Sequence, residues 1–374
     1  MACFVNLLFI LYSLNMINKP KKVCIAMSGG VDSSLAAALL KNQGYDCIGI
    51  FLKFWQEPAK NCGIENKCCS QPAYEDAKKV AHKLGFPLYT LNFSQPFKKA
   101  VVDDFLAQFK KGCTPNPCVA CNKFIKFGLL LKKAKLFGCD YLATGHYVKI
   151  KKDKTGNFIL QTAKDKQKDQ SYFLYNLKQN QLKQILFPLS DLTKPQVRQL
   201  AKKFNLSVYQ KPESQEICFV PEKNHYSFLK RNLKLKPGPI KNPAGQILGW
   251  HDGLPLYTLG QRRGIKIGGP GPFYVIKLDY KNNTLIVSNS QNDKNLLTKK
   301  FQLKNINWLS GKAPKPNTKL GVKIRYQAKT IPANFSKNIV TLKTPQRAVM
   351  PGQSAVFYQG KTVLGGGIIS RLIS

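Results

Sequence analysis

The chain is short of acid. It carries 19 Asp and Glu against 59 Lys and Arg, a formal net charge of +40 at pH 7. That imbalance excludes an acidic, cation-buffering protein and favours polyanionic partners, nucleic acid first, which a positive field steers and holds. Arginine is also scarce, at seven residues, and a lysine-for-arginine skew of this kind is what A/T-rich coding produces without selection for a ligand. There is no apolar run of bilayer length. The stretch Phe4–Leu14 is too short to span, no Lys or Arg precedes it, no small-residue cleavage site follows it, and it lacks the arginines of a mitochondrial presequence. These absences argue against a membrane protein and against export. We expect Met16 to be the true start, or residues 1–15 to be a dispensable extension. Eleven cysteines, an odd number, without an export signal imply a reducing, cytoplasmic setting and thiols that are structural, catalytic or metal-bound. The lysine-bearing G-x-x-x-x-G-K-[ST] loop is missing, and no internal repeat is present.

What is present begins at Met27-Ser28-Gly29-Gly30-Val31-Asp32-Ser33-Ser34, directly after the apolar run Val23–Ala26. A buried strand ends, two glycines turn, and a helix rich in Leu and Ala opens. N–H groups at a helix start, with no side chain on Gly29 and Gly30 to block approach, make a cradle for phosphate. The S-G-G-x-D-S pattern resembles the pyrophosphate loop of enzymes that split ATP into AMP and pyrophosphate. The bland alternative is a turn whose helix is capped by Asp32.

Up to about residue 205 strands alternate with helices. Val23–Met27, Asp46–Phe54, Pro87–Phe93 and Tyr141–Gly145 read as strands. Ala77, Val80, Ala81 and Leu84 fall on one helix face, as do Val197, Leu200, Ala201 and Phe204. The alternation predicts an α/β domain with a parallel sheet, helices on both faces and a nucleotide site at the carboxyl edge of its strands. Ser207–Gln215 has no periodicity and reads as a linker or mobile loop. Beyond it, Pro- and Gly-rich turns separate short alternating runs (Phe273–Leu278, Thr284–Ser288, Val322–Tyr326, Ile339–Leu342, Ala355–Tyr358, Val363–Ile369), which predicts β-structure closing as a small barrel. The expected division is an extension at 1–15, a catalytic domain at 16–212, a central adaptor at 213–285 and a C-terminal β-barrel at 286–374.

Two cysteines stand out. Cys121 follows the proline-stiffened loop Thr114-Pro115-Asn116-Pro117-Cys118 and precedes lysines and a helix, a setting expected to stabilise a thiolate. Cys218 lies near the domain junction, where a mobile cysteine would carry sulfur from outside to inside. Cys24, Cys47 and Cys139 sit in or beside apolar strands and read as buried small hydrophobes. Cys62, Cys68 and Cys69 form a cluster without clean zinc spacing. Cys118, Cys121 and Cys218 together offer three thiolates, enough for an iron–sulfur cluster with one open site.

The ordered motifs S-G-G-V-D-S-S, T-P-N-P-x-x-x-C-N-K, A-T-G-H-Y (143–147), K-D-Q-S-Y-F-L-Y (168–175), S-Q-E-I-C-F (214–219), L-G-Q-R-R-G (259–264) and P-G-Q-S-A-V-F-Y (351–358) resemble the tRNA-specific 2-thiouridylase family from about Lys21 onward. The resemblance implies an ATP-pyrophosphatase domain, a small central domain and a β-barrel. It implies adenylation of O2 of a wobble uridine, then attack by a cysteine persulfide. It places the persulfide on Cys218 and its partner thiol on Cys121, with a disulfide between them as sulfur is released. ATP and Mg²⁺ fall to Ala26, Met27, Ser28, Gly29, Gly30, Val31, Asp32, Ser33, Leu52 and Gly145. The target base falls to Asn116, Pro117 and Cys118, where cysteine replaces the aspartate of some members. Contacts to tRNA fall to His146, Lys168, Asp169, Gln170, Arg325, Tyr326 and Gln353, with Tyr326 stacking on a base and Arg325 meeting phosphate. An upstream persulfide donor protein and a monomeric enzyme are implied. The alternatives are another pyrophosphate-loop enzyme, either a 4-thiouridine-type thiolase or an amidotransferase-like synthetase, and a non-catalytic RNA-binding protein on the same fold.

Overall fold

The structure is a computed structural model that describes residues 20–58, 69–213, 217–220, 222, 225–265, 267–269, 271–315 and 318–373. Met16 with the expected extension, Cys62, Cys68, and the Ser214, Gln215 and Glu216 of the cysteine motif lie outside the described residues.

The first sheet is parallel. Its strands are β1 (Lys22–Met27), β2 (Asp46–Lys53), β3 (Leu88–Asn92), β4 (Tyr141–Ala143) and β7 (Ile185–Leu186) in the order β3-β2-β1-β4-β7. The period-two pattern sorts side chains to both faces. Val23, Ile25 and Met27 pack with α1 (Val31–Asn42), α2 (Gln71–Lys83) and α3 (Lys194–Lys203), while Cys24, Ile48, Ile50 and Leu52 face a second core around Phe97, Phe105 and Phe127. Each such aliphatic side chain contributes about 1.5–3 kcal/mol when fully buried. The strand order reverses direction between β1 and β4, the topological switch point at which such sheets bind ligands. The turn after Met27 and the segment Thr144–Gly145 stand at that point. The four expected strands therefore form, each within two residues of its predicted ends.

Between β5 (Val148–Lys152) and β6 (Phe158–Thr162) the chain makes a hairpin with no counterpart in the sequence reading. It does not join the parallel sheet. Thr362↔Gln161 and Val363↔Leu160 pair it with the C-terminal barrel instead.

The central sheet has the order β10-β11-β8-β9, from β8 (Gly238–Lys241), β9 (Ile247–His251), β10 (Tyr274–Asp279) and β11 (Thr284–Ser288). Helix α4 (His225–Asn232) precedes it. The expected 285/286 boundary falls inside β11, so we propose that the central unit ends after Ser288. The barrel runs β12 (Leu297–Trp308), β13 (Leu320–Lys323), β14 (Ile331–Ser336), β15 (Ile339–Arg347), β16 (Ser354–Gln359) and β17 (Thr362–Ile373), and the β12–β17 pairing closes it. Tyr172 Oη donates to Ser354 O at 2.8 Å and the Tyr175 hydroxyl lies 3.1 Å from Ser354 Oγ, locking the barrel to the catalytic domain.

The described part of the expected linker, residues 207–213, is held in place, as is Leu206 just before it. Leu206 and Val208 are buried, and Arg198 donates to Tyr209 O at 2.6 Å and to Lys211 O at 3.1 Å. A guanidinium fork on α3 holds the backbone where apolar periodicity gives no sign of order.

Candidate active site

The glycine turn sits between β1 and α1. Gly29 has φ +67°, and a Cβ there would lie 2.1 Å from Ala73 O, so backbone conformation and space both demand glycine. Gly30 is the N-cap residue of α1, and no side chain caps that helix. Asp32 is therefore not the cap. The first-turn N–H groups of a twelve-residue helix remain available to an anion. Ser33 Oγ instead braces the turn from within, accepting from Ser28 N at 3.2 Å and donating to Gly30 O at 3.2 Å. Gly145 comes from the neighbouring strand end. A Cβ on it would lie 2.7 Å from Asp32 C and Ser33 N, so only glycine lets this strand end approach the turn.

Asp32 is engaged from two sides. Tyr147 Oη donates to Oδ1 at 2.7 Å, and Lys194 Nζ lies 2.7 and 2.9 Å from the two carboxylate oxygens. Burial, with the Asp32 charge adding to it, holds the Tyr147 phenol well above its ordinary range, so it remains a donor. Lys194 also meets Glu213 at 2.5 Å, and Lys211 Nζ donates to Gly29 O at 3.0 Å and to Asp76 at 2.6 Å. Lysine is thus absent from the loop but supplied around it by residues far along the chain. The sequence reading missed Lys194, Lys211, Tyr147 and Glu213.

A cavity of about 320 Å³ opens from this turn. Ala26, Met27, Ser28, Asp32, Ser33, Leu52 and Gly145 line it together with Pro117, Cys118, Cys121, His146, Gln170 and Cys218. The two sequence-distant thiols and the glycine turn are therefore brought into one chamber. Gly29, Gly30 and Val31 are not among its lining residues; Val31 is buried in the core, leaving backbone N–H as what it has to offer.

The helix bearing Cys121 starts earlier than expected. Asn116 caps it, its Oδ1 accepting from Val119 N at 3.3 Å, and the turn Pro117–Ala120 runs into a π-helical stretch Cys121–Leu130 and on into Leu131–Leu136. Cys121 is thus a full turn inside the helix. It is buried, and burial raises its thiol to about 12 against the opposing pull of Lys126. The expected thiolate is corrected: desolvation outweighs the neighbouring cation, and the resting group is a thiol. Cys118 lines the cavity and is solvent-exposed, while the protein packed around its thiol desolvates it and raises it to about 11. Lys126 is the one cation and Asp32 the one carboxylate among the described lining residues.

Cys218 is held by its neighbour. Phe219 is fully buried in an aromatic cluster with Phe97, Phe105 and Phe228. Cys118, Cys121 and Cys218 share the cavity, but among the described residues no three His, Cys, Asp or Glu side chains are placed to hold a metal. The iron–sulfur alternative therefore finds no preformed ligand set among the described residues. Cys24, Cys47 and Cys139 are buried as expected, and Cys69, also buried, accepts from Gln56 Nε2 at 3.5 Å.

Asn122, next to Cys121, is buried, and its Oδ1 has no hydrogen-bond partner among the described residues. It lines the same cavity, where an orphaned acceptor of this kind invites a ligand donor. His146 is buried between Phe127 and Phe187, with Nδ1 2.7 Å from Thr144 Oγ1. Burial, aided by Lys126, holds it neutral, well below its ordinary range.

A second, polar cavity of about 420 Å³ lies against the barrel, between Lys166, Lys168 and Asp169 on one side and Lys323, Tyr326 and Gln327 on the other. Two residues expected at the tRNA are occupied within the chain. Asp169 is buried and accepts from Ala163 N and Ser171 Oγ at 3.1 and 2.8 Å, and Gln353 Nε2 donates to Thr114 O at 2.8 Å. Arg325 donates to the carbonyls of Arg347 and Ala348 at 2.5 and 2.6 Å, while the Tyr326 ring stacks on Phe173 at 4.4 Å. Both residues lie past the end of β13, which stops at Lys323.

A phosphate-accepting glycine turn at the switch point of a parallel sheet, facing a chamber with paired thiols, defines a nucleotide-activating enzyme of the pyrophosphate-loop class. Comparison with known proteins is more particular. Profiles described as tRNA methyl transferase HUP domain, tRNA methyl transferase PRC-barrel domain and Aminomethyltransferase beta-barrel domain match residues 21–222, 226–289 and 298–369. The tRNA-specific 2-thiouridylase of Clostridioides difficile is 45% identical over 359 residues, covering 94% of this chain and 98% of that protein. Its counterpart in Halothermothrix orenii is 46% identical over 361 residues, covering 94% and 99%. The chain belongs to the tRNA-specific 2-thiouridylase family.

Proposed function

We propose that the protein is an ATP-dependent sulfurtransferase that replaces O2 of a wobble uridine in tRNA by sulfur. The observation that carries this reading is the shared chamber: Ser28, Asp32 and Ser33, which flank the glycine turn, line one cavity with Cys121 and Cys218. Uracil O2 attacks the α-phosphorus of ATP and pyrophosphate leaves. The oxygen is then part of AMP, a good leaving group. The terminal sulfur of a Cys218 persulfide attacks C2, and AMP departs with the oxygen. The Cys121 sulfur attacks Cys218 Sγ, the S–S bond breaks toward the base, and the pair is left as a disulfide for a dithiol to reduce.

The α1 N-terminus and Ser28 bind the phosphates, and holding the reactants together contributes much of the acceleration. Mg²⁺ carried by the triphosphate would neutralise phosphate charge, and Asp32 supplies an oxygen donor of the type it prefers. Lys126 stabilises the Cys121 thiolate when it forms, and the unpartnered Asn122 Oδ1 accepts the N3–H of uracil. Lys168, Gln170, Tyr326 and His146 are the tRNA contacts of this reading, with Asn116 and Gln353 acting through the loop they hold. Sulfur reaches Cys218 from a protein persulfide donor, and the enzyme acts as a cytoplasmic monomer. The profile name tRNA methyl transferase suggests methyl transfer instead, but that chemistry has no use for two thiols facing an ATP-type phosphate turn.

The test is conversion of unmodified tRNA to its 2-thiouridine form with ATP and a persulfide donor, followed by nucleoside mass spectrometry. Cys121→Ser and Cys218→Ser should each abolish it. Full activity in either variant removes that cysteine from the scheme.

A further inference from the structure

A chain of charges joins the two cavities. Lys168, at the edge of the polar cavity, meets Glu213 Oε2 at 2.5 Å. Glu213 Oε1 meets Lys194 at 2.5 Å, and Lys194 reaches both oxygens of Asp32 beside the phosphate turn. A single carboxylate thus holds two lysines, one for each cavity. Lys194 has a side chain only 10% exposed, so its charge must be matched locally. The same turn reaches the phosphate side by a second route: Gln170 Oε1 accepts from Tyr147 N at 3.0 Å, and Tyr147 donates to Asp32.

We infer that Glu213 is a positioning residue that couples polyanion binding in the polar cavity to nucleotide binding at Asp32. The inference rests on the tRNA-thiolating function proposed above. A phosphodiester entering between Lys166, Lys168 and Lys323 competes with Glu213 for Lys168. Glu213 is then left to Lys194 alone and draws it from Asp32. Asp32 becomes available to the cation that accompanies ATP, and Lys194 to the phosphates. Coupling of this kind is reciprocal: whatever tRNA does for ATP, ATP does for tRNA. In the resting protein the lysine-held Asp32 keeps ATP from being committed before RNA arrives.

The experiment is the affinity of the full-length protein for a non-hydrolysable ATP analogue, with and without a saturating unmodified tRNA transcript. In the wild type tRNA should tighten analogue binding by at least about fivefold. In Glu213→Gln the ratio should fall below about twofold, with Glu213→Asp in between, because a shorter side chain cannot span both lysines. Lys168→Met removes the group through which RNA competes and leaves Glu213 to Lys194 alone, so it should lose the coupling as well, with analogue affinity the same with and without tRNA. A ratio retained in Lys168→Met overturns the proposal even if Glu213→Gln folds poorly, and so does a wild type that shows no coupling. Absence of tRNA thiolation by the wild type would instead remove the function on which the inference stands.

Discussion

Gln353 Nε2 on the C-terminal barrel donates to the carbonyl of Thr114 at 2.8 Å, so the barrel holds the loop that leads into Cys118 and Cys121. Thr114 N returns a hydrogen bond to Pro351 O at 2.8 Å, and a Cβ on Gly352 would meet Thr114 backbone at 3.0 Å. The barrel is thereby part of the active-site scaffold rather than a detached RNA-binding module. Its closure and the Tyr172 and Tyr175 bonds to Ser354 make that scaffold stiff.

Gln353→Ala should therefore act on the chemistry through the loop. Loss of the bond to Thr114 costs about 1–2 kcal/mol of stability. Thiolation should fall on the order of tenfold through misplacement of the cysteines, with affinity for an ATP analogue unchanged. A variant with wild-type melting temperature but weaker tRNA binding would mean that Gln353 touches RNA instead. Thermal melts alongside analogue and tRNA titrations separate the two.

The resting Cys121 thiol should be poorly reactive. Burial raises it from 9.0 to about 12. At pH 8 its thiolate fraction is then about a thousandfold below that of an ordinary thiol, and alkylation slows in proportion. Mass-mapped iodoacetamide labelling on a Cys218→Ser background checks this. Rapid labelling of Cys121 at pH 8 would show that Lys126 controls the thiol more strongly than burial does.

The sheet was legible because its strands are apolar, bounded by turns and locally periodic. The glycine turn was legible because Gly29 and Gly30 have few other uses in front of a helix. The hairpin Val148–Thr162 was not, since Val148-Lys149-Ile150-Lys151 alternates over only four residues, Phe158-Ile159-Leu160 does not alternate at all, and its pairing with Thr362 and Val363 lies about two hundred residues away. The partners of Asp32 were hidden for the same reason. Lys194 and Glu213 are two ordinary charges among many, and only the fold sets Lys194 between the carboxylates of Asp32 and Glu213. The Cys121 thiolate failed as an expectation because nearby lysines are visible in a sequence while burial is not.

Gly145→Ala should test how closely the β4 end abuts the phosphate turn. The added Cβ would stand 2.7 Å from Asp32 C and Ser33 N, backbone atoms that cannot rotate away. The helix start must shift, at a cost of about 1–3 kcal/mol. Affinity for ATP should drop at least about tenfold, since the N–H groups move with it. Isothermal titration with an ATP analogue measures the loss. Binding within twofold of wild type would place the phosphates elsewhere.

His146 should make stability fall on the acid side of neutrality. Burial first, and then the charge of Lys126, hold its folded-state value well below 6.5. The unfolded chain takes up a proton near pH 6.5, whereas the folded chain does not until much lower pH. Protonation therefore favours unfolding as pH drops below about 6.5, and the stabilisation is complete above it. Urea unfolding at pH 7.5 and pH 5.5 should show a loss of stability that shrinks in His146→Gln, which has no group titrating in that window. Because Nδ1 lies 2.7 Å from Thr144 Oγ1 and the ring packs between Phe127 and Phe187, protonation also disturbs the wall of the cavity. The acid limb of the thiolation rate should follow the same residue. A wild-type stability that is flat from pH 7.5 to 5.5 would mean that water reaches the imidazole through the cavity and that its burial is only apparent.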